Sequence, residues 1–359
     1  MLNTIYGNVS ENASAIATSL RQHLPFSSEQ DQDITPYYAN HVAAITGAGS
    51  GMGRELAMHL AKMGCHVALS DINPEQLAQT KELLVGYDVK VTTTVLDVSD
   101  QKAVEAWADS VMAELGKVNF VFNNAGVALY STVEGSSIDE LEWIMDINFW
   151  GVVYGTKAFL PLIKNSVKES EINGGDKDNK SRQFNEHGHI INISSVFGLT
   201  AQPSQSAYNA SKFAVRGFTE SLRQELDIQR CGVSATCVHP GGIKTNIANS
   251  ARGNDSISDL GMRSGSKAIS SFNKFLKFDA SEAAWIILQA AATNQPRCLI
   301  GNDAKFIDAV QRVFPSRYGQ VLNDMNKLSR KLKGKKRTKN ATRKAAITHW
   351  FNGKQAVTA

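Results

Sequence analysis

Residues 41–64, HVAAITGAGSGMGRELAMHLAKMG, contain the pattern that decides the fold. The apolar run at residues 41–46 is typical of a buried strand, and residues 51–64 carry apolar side chains at helical spacing. The turn between them is rich in glycine, which lets backbone N–H groups approach a ligand closely. Because a helix begins at this turn, its amino end offers unpaired N–H donors and partial positive charge. The segment therefore predicts a dinucleotide-binding unit.

The same alternation of strands and helices continues along the chain. Further strands are predicted at residues 66–71, 89–98, 118–123, 189–194 and 233–240. Helices are predicted at residues 73–86, 99–116, 137–149, 151–166 and 204–230. Strands that alternate with helices of this length form βαβ units, which build a parallel sheet covered on both faces. We therefore expect an α/β fold with a single doubly wound parallel sheet of about seven strands and helices on both faces.

Four segments depart from this rhythm and define the predicted organisation. We predict a domain over residues 40–320, preceded by a polar amino-terminal extension at residues 1–39. Residues 168–187 are polar and form a predicted surface insertion, whereas residues 246–272 form a predicted lid over the substrate. Residues 321–359 form a basic carboxyl-terminal tail.

The charge of the chain is concentrated in that tail. The formal net charge is +4, but ten lysines and arginines and no acid lie between Lys327 and Lys344, so the remainder is mildly acidic. The tail is either a solvated segment or a weak, salt-sensitive contact with an anionic surface. The apolar and aromatic residues 345–351 favour a membrane surface over nucleic acid, and we expect no nucleic-acid partner.

Composition also bounds the compartment and the cofactor type. No apolar run reaches the roughly 18 residues of a spanning helix, and the amino terminus lacks the pattern of a secretory signal. The four cysteines form no C-x-x-C pair, and no His or Cys cluster has zinc-finger spacing. We therefore expect a cytoplasmic protein without a metal, with peripheral attachment to a membrane as the alternative that the tail leaves open.

An acidic residue at the end of the second strand bears on cofactor choice. Asp71 lies 18 residues after Gly53, where a carboxylate can accept the two ribose hydroxyls of an adenosine and repel a 2′-phosphate. Arg54 lies close in sequence and is a cation that could bind such a phosphate, so NADP stays an alternative. A structural alternative for Asp71 itself is a turn or capping role. We predict NAD as cofactor, with NADP not excluded.

Tyr208 and Lys212 are four residues apart in a predicted helix, so both lie on one face, one turn apart. A phenol has a reference pKa of about 10, and a neighbouring ammonium lowers it. The pair is therefore either an acid/base device or merely the polar face of a helix.

These features occur together with several further motifs in a characteristic order. The motifs are T-G-x-x-x-G-x-G at Thr46–Gly53, L-D-V ending in Asp97 and Val98, N-N-A-G at Asn123–Gly126, N-x-x-G from Asn148, the serine Ser195 of I-I-N-I-S-S, Y-x-x-x-K at Tyr208–Lys212, and P-G from Pro240 with the later Thr245. In this combination the chain resembles the short-chain dehydrogenase/reductase family over about residues 40–300. The resemblance implies a nicotinamide-dependent oxidoreductase, and it favours the acid/base reading of Tyr208.

The resemblance also implies a role for each catalytic residue. Tyr208 is the expected general acid/base, and Lys212 is expected to lower the pKa of Tyr208 together with the positive nicotinamide and to bind the nicotinamide ribose. Ser195 is expected to donate a hydrogen bond to the substrate oxygen, with Ser194 as its rival, and Asn148 to hold a water near Lys212.

The remaining expectations concern ligands and assembly. The implied cofactor-binding residues are Gly47, Ser50, Gly51, Met52, Gly53, Asp71, Asp97, Val98, Asn124, Ala125, Gly126, Tyr208, Lys212, Pro240, Gly241, Ile243 and Thr245. The implied substrate-binding residues are Ser195, Phe197 and Tyr208. The expected reaction transfers hydride between NAD and a secondary alcohol or ketone, of medium or bulky hydrophobic type. Alternatives are an NADPH-dependent carbonyl reductase and a non-catalytic dinucleotide-binding sensor or scaffold. Helices near residues 137–166 and 204–230 are expected to form a homodimer or homotetramer, as in relatives.

Overall fold

The protein is described by a computed structural model that covers residues 33–172, 187–262, 270, 273 and 276–324. Within these residues the strands are β1 Val42–Thr46, β2 His66–Asp71, β3 Val91–Val95, β4 Phe120–Asn123, β5 Leu129–Tyr130, β6 Gly188–Ile193, β7 Val233–Pro240, β8 Arg252–Gly253 and β9 Arg297–Ile300. The α-helices are α1 Thr35–Tyr38, α2 Gly51–Lys62, α3 Pro74–Leu83, α4 Gln101–Leu115, α5 Ile138–Met145, α6 Gly151–Ile172, α7 Ser206–Gln229, α8 Ala280–Ala292 and α9 Asn302–Val313.

Seven strands form one parallel sheet in the order β3-β2-β1-β4-β6-β7-β9. Successive residues of a strand point to opposite faces, so Ala43 and Ile45 face α2 and α8, whereas Val42 and Ala44 face α4, α6 and α7. Both faces are therefore buried, which explains the continuous apolar runs. The predicted doubly wound parallel sheet of about seven strands is confirmed.

The order of the strands determines where a ligand can bind. From β1 the chain proceeds outward to β2 and β3, and it then returns to the other side of β1 for β4. Ligands of open parallel sheets bind beyond the carboxyl ends of the strands where this direction reverses. In this sheet that point lies between β1 and β4, where the glycine turn and the N-N-A-G motif meet.

The packed body begins earlier than predicted. Residues 1–32 lie outside the described part of the chain, but Ile34 and Tyr38 are fully buried, and the Tyr38 hydroxyl donates to the carbonyl oxygen of Leu288 over 2.8 Å. Helix α1 thus belongs to the core, and the predicted extension at residues 1–39 ends too late. The polar composition upstream concealed two buried tyrosines that follow Pro36.

Two other predicted boundaries also move. Helix α6 extends through Ile172, so the first residues of the predicted insertion at 168–187 are helical, and residues 173–186 lie outside the described part. The two helices predicted at residues 137–149 and 151–166 are joined by a π-helical turn, Asp146–Trp150, rather than separated. Of the predicted tail at residues 321–359, only residues 321–324 are described.

The amino-terminal half of the predicted lid, residues 246–272, is attached to the body. Strand β8 pairs in parallel with β5, and the Arg252 guanidinium lies 3.9 Å from the centroid of the Trp143 ring. The side-chain amide of Asn254 donates to Ser131 Oγ over 3.0 Å and to the carbonyl oxygen of Gly135 over 2.9 Å. Residues 263–269, 271 and 272 of the lid lie outside the described part. A lid role for residues 246–272 stays a prediction.

No helix among the described residues is both long and apolar enough to cross a membrane.

Candidate active site

The glycine turn is built so tightly that side chains are excluded from it. Gly47 has φ +65°, and a Cβ placed on Gly53 would lie 2.1 Å from the carbonyl oxygen of Gly47. Thr46 Oγ1 accepts hydrogen bonds from the backbone amides of Asn124 and Ala125, each over 3.0 Å. The Asn124 side-chain amide donates in return to the Thr46 carbonyl oxygen over 2.9 Å. The ends of β1 and β4 are thereby locked together, leaving backbone N–H groups at the amino end of α2 for an anion.

Asp71 lies beside this turn, as the dinucleotide reading requires. Its Oδ2 accepts the amide of Gly49 over 2.8 Å, and its Oδ1 accepts the amide of Asn73 over 2.9 Å. Arg54 directs its guanidinium to the Gly49 carbonyl oxygen and to Thr80 Oγ1, the latter over 3.0 Å. Arg54 also lines a cavity of about 320 Å³ with Lys244. Arg54, the cation that could bind the 2′-phosphate of NADP, is thus partly engaged in hydrogen bonds to the glycine turn and to Thr80.

The remaining predicted cofactor residues differ in how directly they face this site. Ser50 occupies the N-cap position of α2 without a side-chain capping hydrogen bond. The Thr245 methyl group lies 3.0 Å from a Cβ placed on Gly51, so the segment after β7 closes over the turn. Asp97 is exposed, and its Oδ1 accepts the amide and hydroxyl of Ser99. Other predicted positions have structural contacts: Met52 and Ile243 pack into the core, Val98 packs at the start of α6, Pro240 ends β7, and Gly241 lies against Asp303.

The pair that raised the acid/base question lies on one buried face of α7. Tyr208 and Lys212 are 8% and 3% exposed, and Lys212 Nζ lies 5.8 Å from the centroid of the Tyr208 ring. Lys212 Nζ donates to the carbonyl oxygen of Ile193 over 2.9 Å, at the end of β6. A Cβ placed on Gly126 would lie 3.4 Å from Lys212 Nζ and 3.1 Å from Asn148 Oδ1. The N-N-A-G turn therefore brings its glycine between two of the predicted catalytic residues.

Burial dominates the electrostatics of Tyr208 and Lys212. Burial raises the pKa of Tyr208 to about 12, and a hydrogen bond with Ser195 opposes this. Burial likewise lowers the pKa of Lys212 to about 8. Desolvation is the larger effect on Tyr208, and the Lys212 amine is directed to the Ile193 carbonyl oxygen. The expectation that Lys212 and the positive nicotinamide together lower the pKa of Tyr208 stays a prediction.

The structure separates the two rival serines by their contacts. The Ser194 hydroxyl donates to the Lys212 carbonyl oxygen over 2.8 Å, so it is occupied in attaching β6 to α7. The hydrogen bond of Ser195 with Tyr208 opposes the rise in the pKa of the phenol, and Ser195 Oγ also accepts the amide of Phe197 over 3.1 Å. Ser195 is therefore the serine next to the phenol.

Asn148 lies in the π-helical turn and is fully buried. Its Oδ1 accepts the amide of Val127 over 2.8 Å, and its Nδ2 donates to the Val127 carbonyl oxygen over 3.0 Å and to Ser211 Oγ over 3.2 Å. A π-turn inside a helix is frequently found at a functional site. The side chain thus holds the segment that follows the N-N-A-G turn, and the predicted water site near Lys212 stays a prediction.

An apolar wall surrounds the phenol. Phe197 meets Tyr208 edge to face with ring centroids 6.3 Å apart, and Val127 and Ile247 are partly buried in the same cluster. Tyr130 is buried nearby, and burial raises its pKa, with the charge of Tyr208 adding to the effect. The wall therefore presents hydrocarbon and neutral phenol to whatever lies against Tyr208.

Sequence reasoning missed two residues of this site. Thr46 was only part of a motif, although its hydroxyl joins the two ligand-facing turns. His239 was not considered, although its ring contacts the backbone of Ser195. The T-G dipeptide after a strand is a signal for Thr46. Nothing in the sequence signals the contact of His239 with Ser195, because it joins the end of β7 to the segment after β6.

Comparison with known proteins agrees with this geometry. The model of the short chain dehydrogenase family matches residues 41–256. SadH of Mycobacterium tuberculosis, provisionally named an oxidoreductase, is 43% identical over 286 residues, covering 79% of this chain and 95% of SadH. Human estradiol 17-beta-dehydrogenase 11 is 30% identical over 282 residues, covering 78% of this chain and 81% of that protein.

A solved structure supports the same assignment. A short chain dehydrogenase/reductase from Burkholderia phymatum, solved in complex with NAD, has a TM-score of 0.66 and 28% identity, covering 77% of this chain and 95% of that one. Levodione reductase has a TM-score of 0.60 and 27% identity, covering 75% of this chain and 99% of that one. From the sheet, the site and these relatives together, the chain belongs to the short-chain dehydrogenase family.

Proposed function

We propose that this protein is an NAD-dependent oxidoreductase that interconverts a secondary alcohol and a ketone of medium or bulky hydrophobic type. One observation carries the proposal: Tyr208 and Lys212 lie on the buried face of α7, beside Ser195 and Asn148 and beyond the carboxyl ends of the strands at the switch point. A protein that only binds a dinucleotide has no need of a buried phenol at this position.

The chain's own residues account for the proton. With a pKa of about 12, Tyr208 is protonated at neutral pH and acts as the acid that donates to a carbonyl oxygen during reduction. Ser195 donates to the same oxygen, where negative charge develops in the transition state. Bound NAD or NADH supplies the acceptor or donor of hydride. In oxidation the Tyr208 phenolate takes the proton of the alcohol, and higher pH favours this direction because it deprotonates the phenol.

The residues around the glycine turn fit a dinucleotide. The N–H groups at the amino end of α2 would hold the pyrophosphate. The absence of a side chain at Gly53 allows α2 to begin close to the backbone of Gly47, because a Cβ at Gly53 would occupy that space. Asp71 would hold the adenosine ribose, and its carboxylate next to Gly49 favours a ribose hydroxyl over a 2′-phosphate. The contact of Arg54 with Gly49 supports the same preference for NAD.

The apolar wall around Tyr208 supports the proposed substrate class. Phe197, Val127 and Ile247 offer apolar contact, which favours a hydrophobic body next to the reacting carbon. The name of the human relative, estradiol 17-beta-dehydrogenase 11, specifies such a bulky secondary alcohol for that protein.

The experiment is a panel of secondary alcohols, steroids and aldehydes, assayed with NAD⁺ and with NADP⁺ by the absorbance of the reduced nicotinamide. Turnover of bulky secondary alcohols with NAD⁺ is the expected result. A clear preference for NADP⁺ would replace the proposal with an NADPH-dependent carbonyl reductase. Tight cofactor binding without turnover of any substrate would instead favour the non-catalytic sensor or scaffold.

Assembly and location belong to the same proposal. We expect a homodimer or homotetramer through the helices near residues 137–166 and 204–230, where Trp150 of the π-helical turn and Phe213 of α7 are 42% and 40% exposed. Cytoplasmic location and weak membrane contact through the basic tail stay predictions, since residues 325–359 lie outside the described part. Liposome sedimentation of the full chain and of residues 1–326 tests the membrane contact, and equal pelleting would defeat it.

A further inference from the structure

His239 is a buried histidine next to the site that the catalytic scheme does not use. It precedes the last residue of β7, and its ring is 0% exposed. Its Nδ1 lies 2.9 Å from the carbonyl oxygen of Ser195. A carbonyl oxygen only accepts hydrogen bonds, so Nδ1 carries the proton and donates it. The other ring nitrogen, Nε2, is buried and has no hydrogen-bond partner among the residues that the structure describes.

The contact completes a clamp on the two serines at the end of β6. The amide of Ser194 donates to the Val238 carbonyl oxygen over 2.8 Å, and its hydroxyl donates to the Lys212 carbonyl oxygen over 2.8 Å. The carbonyl oxygen of Ser195 accepts from His239 and also from the amide of Gly198, the latter over 2.8 Å. Among these contacts, the His239 bond is made by a side chain of β7 and holds Ser195 directly.

The clamp acts on the orientation of the serine hydroxyl. Ser195 has an extended backbone, with φ −164° and ψ 164°, and it caps the 3₁₀ turn Val196–Gly198. Its Oγ accepts the Phe197 amide and also bonds Tyr208. A rotation of the peptide that follows Ser195 would move the Phe197 amide, and the hydroxyl would lose its place beside the phenol.

His239 performs this role as a neutral group. Burial lowers the pKa of His239 to about 4, the bond to Ser195 opposes this, Arg297 and Arg216 lower it further and Glu220 raises it. The ring is therefore uncharged near neutral pH and contributes a directed N–H rather than a charge.

We propose that His239 is a positioning residue that fixes Ser195 in register with Tyr208 through its Nδ1–H bond to the Ser195 carbonyl oxygen. The inference rests on the proposed oxidoreductase function of the site. The same hydrogen bond links Ser195, on the substrate side, to the end of β7. Pro240 begins the segment that leads from there to Thr245 on the cofactor side.

Two substitutions of His239 separate a hydrogen bond from mere packing. His239→Leu removes the donor, whereas His239→Asn keeps an N–H group near the position of Nδ1. His189→Leu is the matched control, because His189 is equally buried but bonds Thr236 Oγ1 over 2.8 Å near the other end of the sheet. Thermal unfolding of each variant identifies those that fold.

The first readout needs no turnover. Tyrosines labelled with ¹³C at Cζ are observed by NMR, and Tyr208 is assigned by its loss in Tyr208→Phe. We expect His239→Leu to move the Tyr208 resonance in the direction seen in Ser195→Ala, and His239→Asn and His189→Leu to leave it in place. An unmoved resonance in His239→Leu, or an equal shift in His189→Leu, overturns the proposal.

The second readout is kinetic. A misplacement of the order of 1 Å costs up to about 100-fold in rate, so we expect His239→Leu to lower kcat about 10-fold while KM for NADH is unchanged. His239→Asn should restore kcat to within about twofold, and in a Ser195→Ala background His239→Leu should cost less than about twofold. A full loss in that background would contradict the proposal. If no protein turns over but the Tyr208 resonance moves as expected, the positioning role stands and the proposed function fails.

Discussion

Substitution of Gly53 by alanine tests the dinucleotide cradle. The new Cβ would lie 2.1 Å from the Gly47 carbonyl oxygen, and since real Cβ atoms stay beyond 3.0 Å, these backbone groups must separate by about 0.9 Å. Overpacking of this kind costs about 1–3 kcal/mol, and the helix propensity of alanine returns about 0.5–1 kcal/mol. We therefore expect a net loss of up to about 2.5 kcal/mol in the free energy of unfolding.

The effect on cofactor binding should be larger than the effect on stability. A displacement of about 0.9 Å lengthens a hydrogen bond of about 2.9 Å beyond the useful range, and a bond to a charged group contributes about 1.5–3 kcal/mol. Kd for NADH should therefore rise about 10- to 150-fold, measured by nucleotide fluorescence.

The matched control is Gly319→Ala, because Gly319 is exposed and a Cβ there meets no atom within 4 Å. This variant should keep the wild-type Kd and unfold at the same or a higher temperature. If Gly53→Ala bound NADH as tightly as the wild type, the glycine turn would not be the cofactor site.

Three further predictions concern cofactor choice, pH and the lid. Asp71→Asn should weaken NADH binding about 10-fold and leave NADPH binding unchanged or tighter, because the charge that repels a 2′-phosphate is gone; fluorescence titration that shows equal losses for both would contradict this. His189 and His239 have pKa values lowered to about 3 and about 4 from 6.5, so the unfolded chain takes up protons first as pH falls, and each histidine should cost about 2 kcal/mol of stability between pH 7 and pH 5. Urea unfolding at both pH values should show that His189→Leu loses about half as much of this histidine-dependent stability as the wild type does between pH 7 and pH 5. An equal loss of unfolding free energy in the variant and the wild type would refute this prediction. Asn254→Ala removes side-chain bonds that attach the residue after β8 to Ser131 and Gly135, so KM for the alcohol should rise about 10-fold with Kd for NADH unchanged, and a loss confined to NADH binding would place this segment elsewhere.

Much of the fold could be predicted because burial on both faces leaves a plain record in the sequence. The apolar runs that became β1, β2, β4, β6 and β7 lie within one or two residues of their predicted bounds. The spacing of Tyr208 and Lys212 placed both on one helix face, since four residues make about one turn. The helices predicted at residues 73–86 and 99–116 begin where Asn73 and Asp100 each accept the amide three residues later.

The rest depended on contacts between distant parts of the chain. Strand β9 has four residues and β5 and β8 have two each, too few for a period to show. The buried position of α1 follows from the space between β4 and α8, where Tyr38 lies against Phe120 with ring centroids 5.0 Å apart. The pKa of Tyr208 depends on how deeply the phenol is buried, and residue spacing contains no information about depth.

The central claim is that the Tyr208 phenol transfers the proton at the place where hydride is exchanged. The most direct measurement compares Tyr208→Phe with the wild type in both NADH affinity and turnover of the best alcohol from the panel. We predict that Kd for NADH stays within about twofold and that kcat falls by at least about 100-fold, because the general acid is lost and the cradle is intact. Turnover near the wild-type rate in the phenylalanine variant would contradict the account.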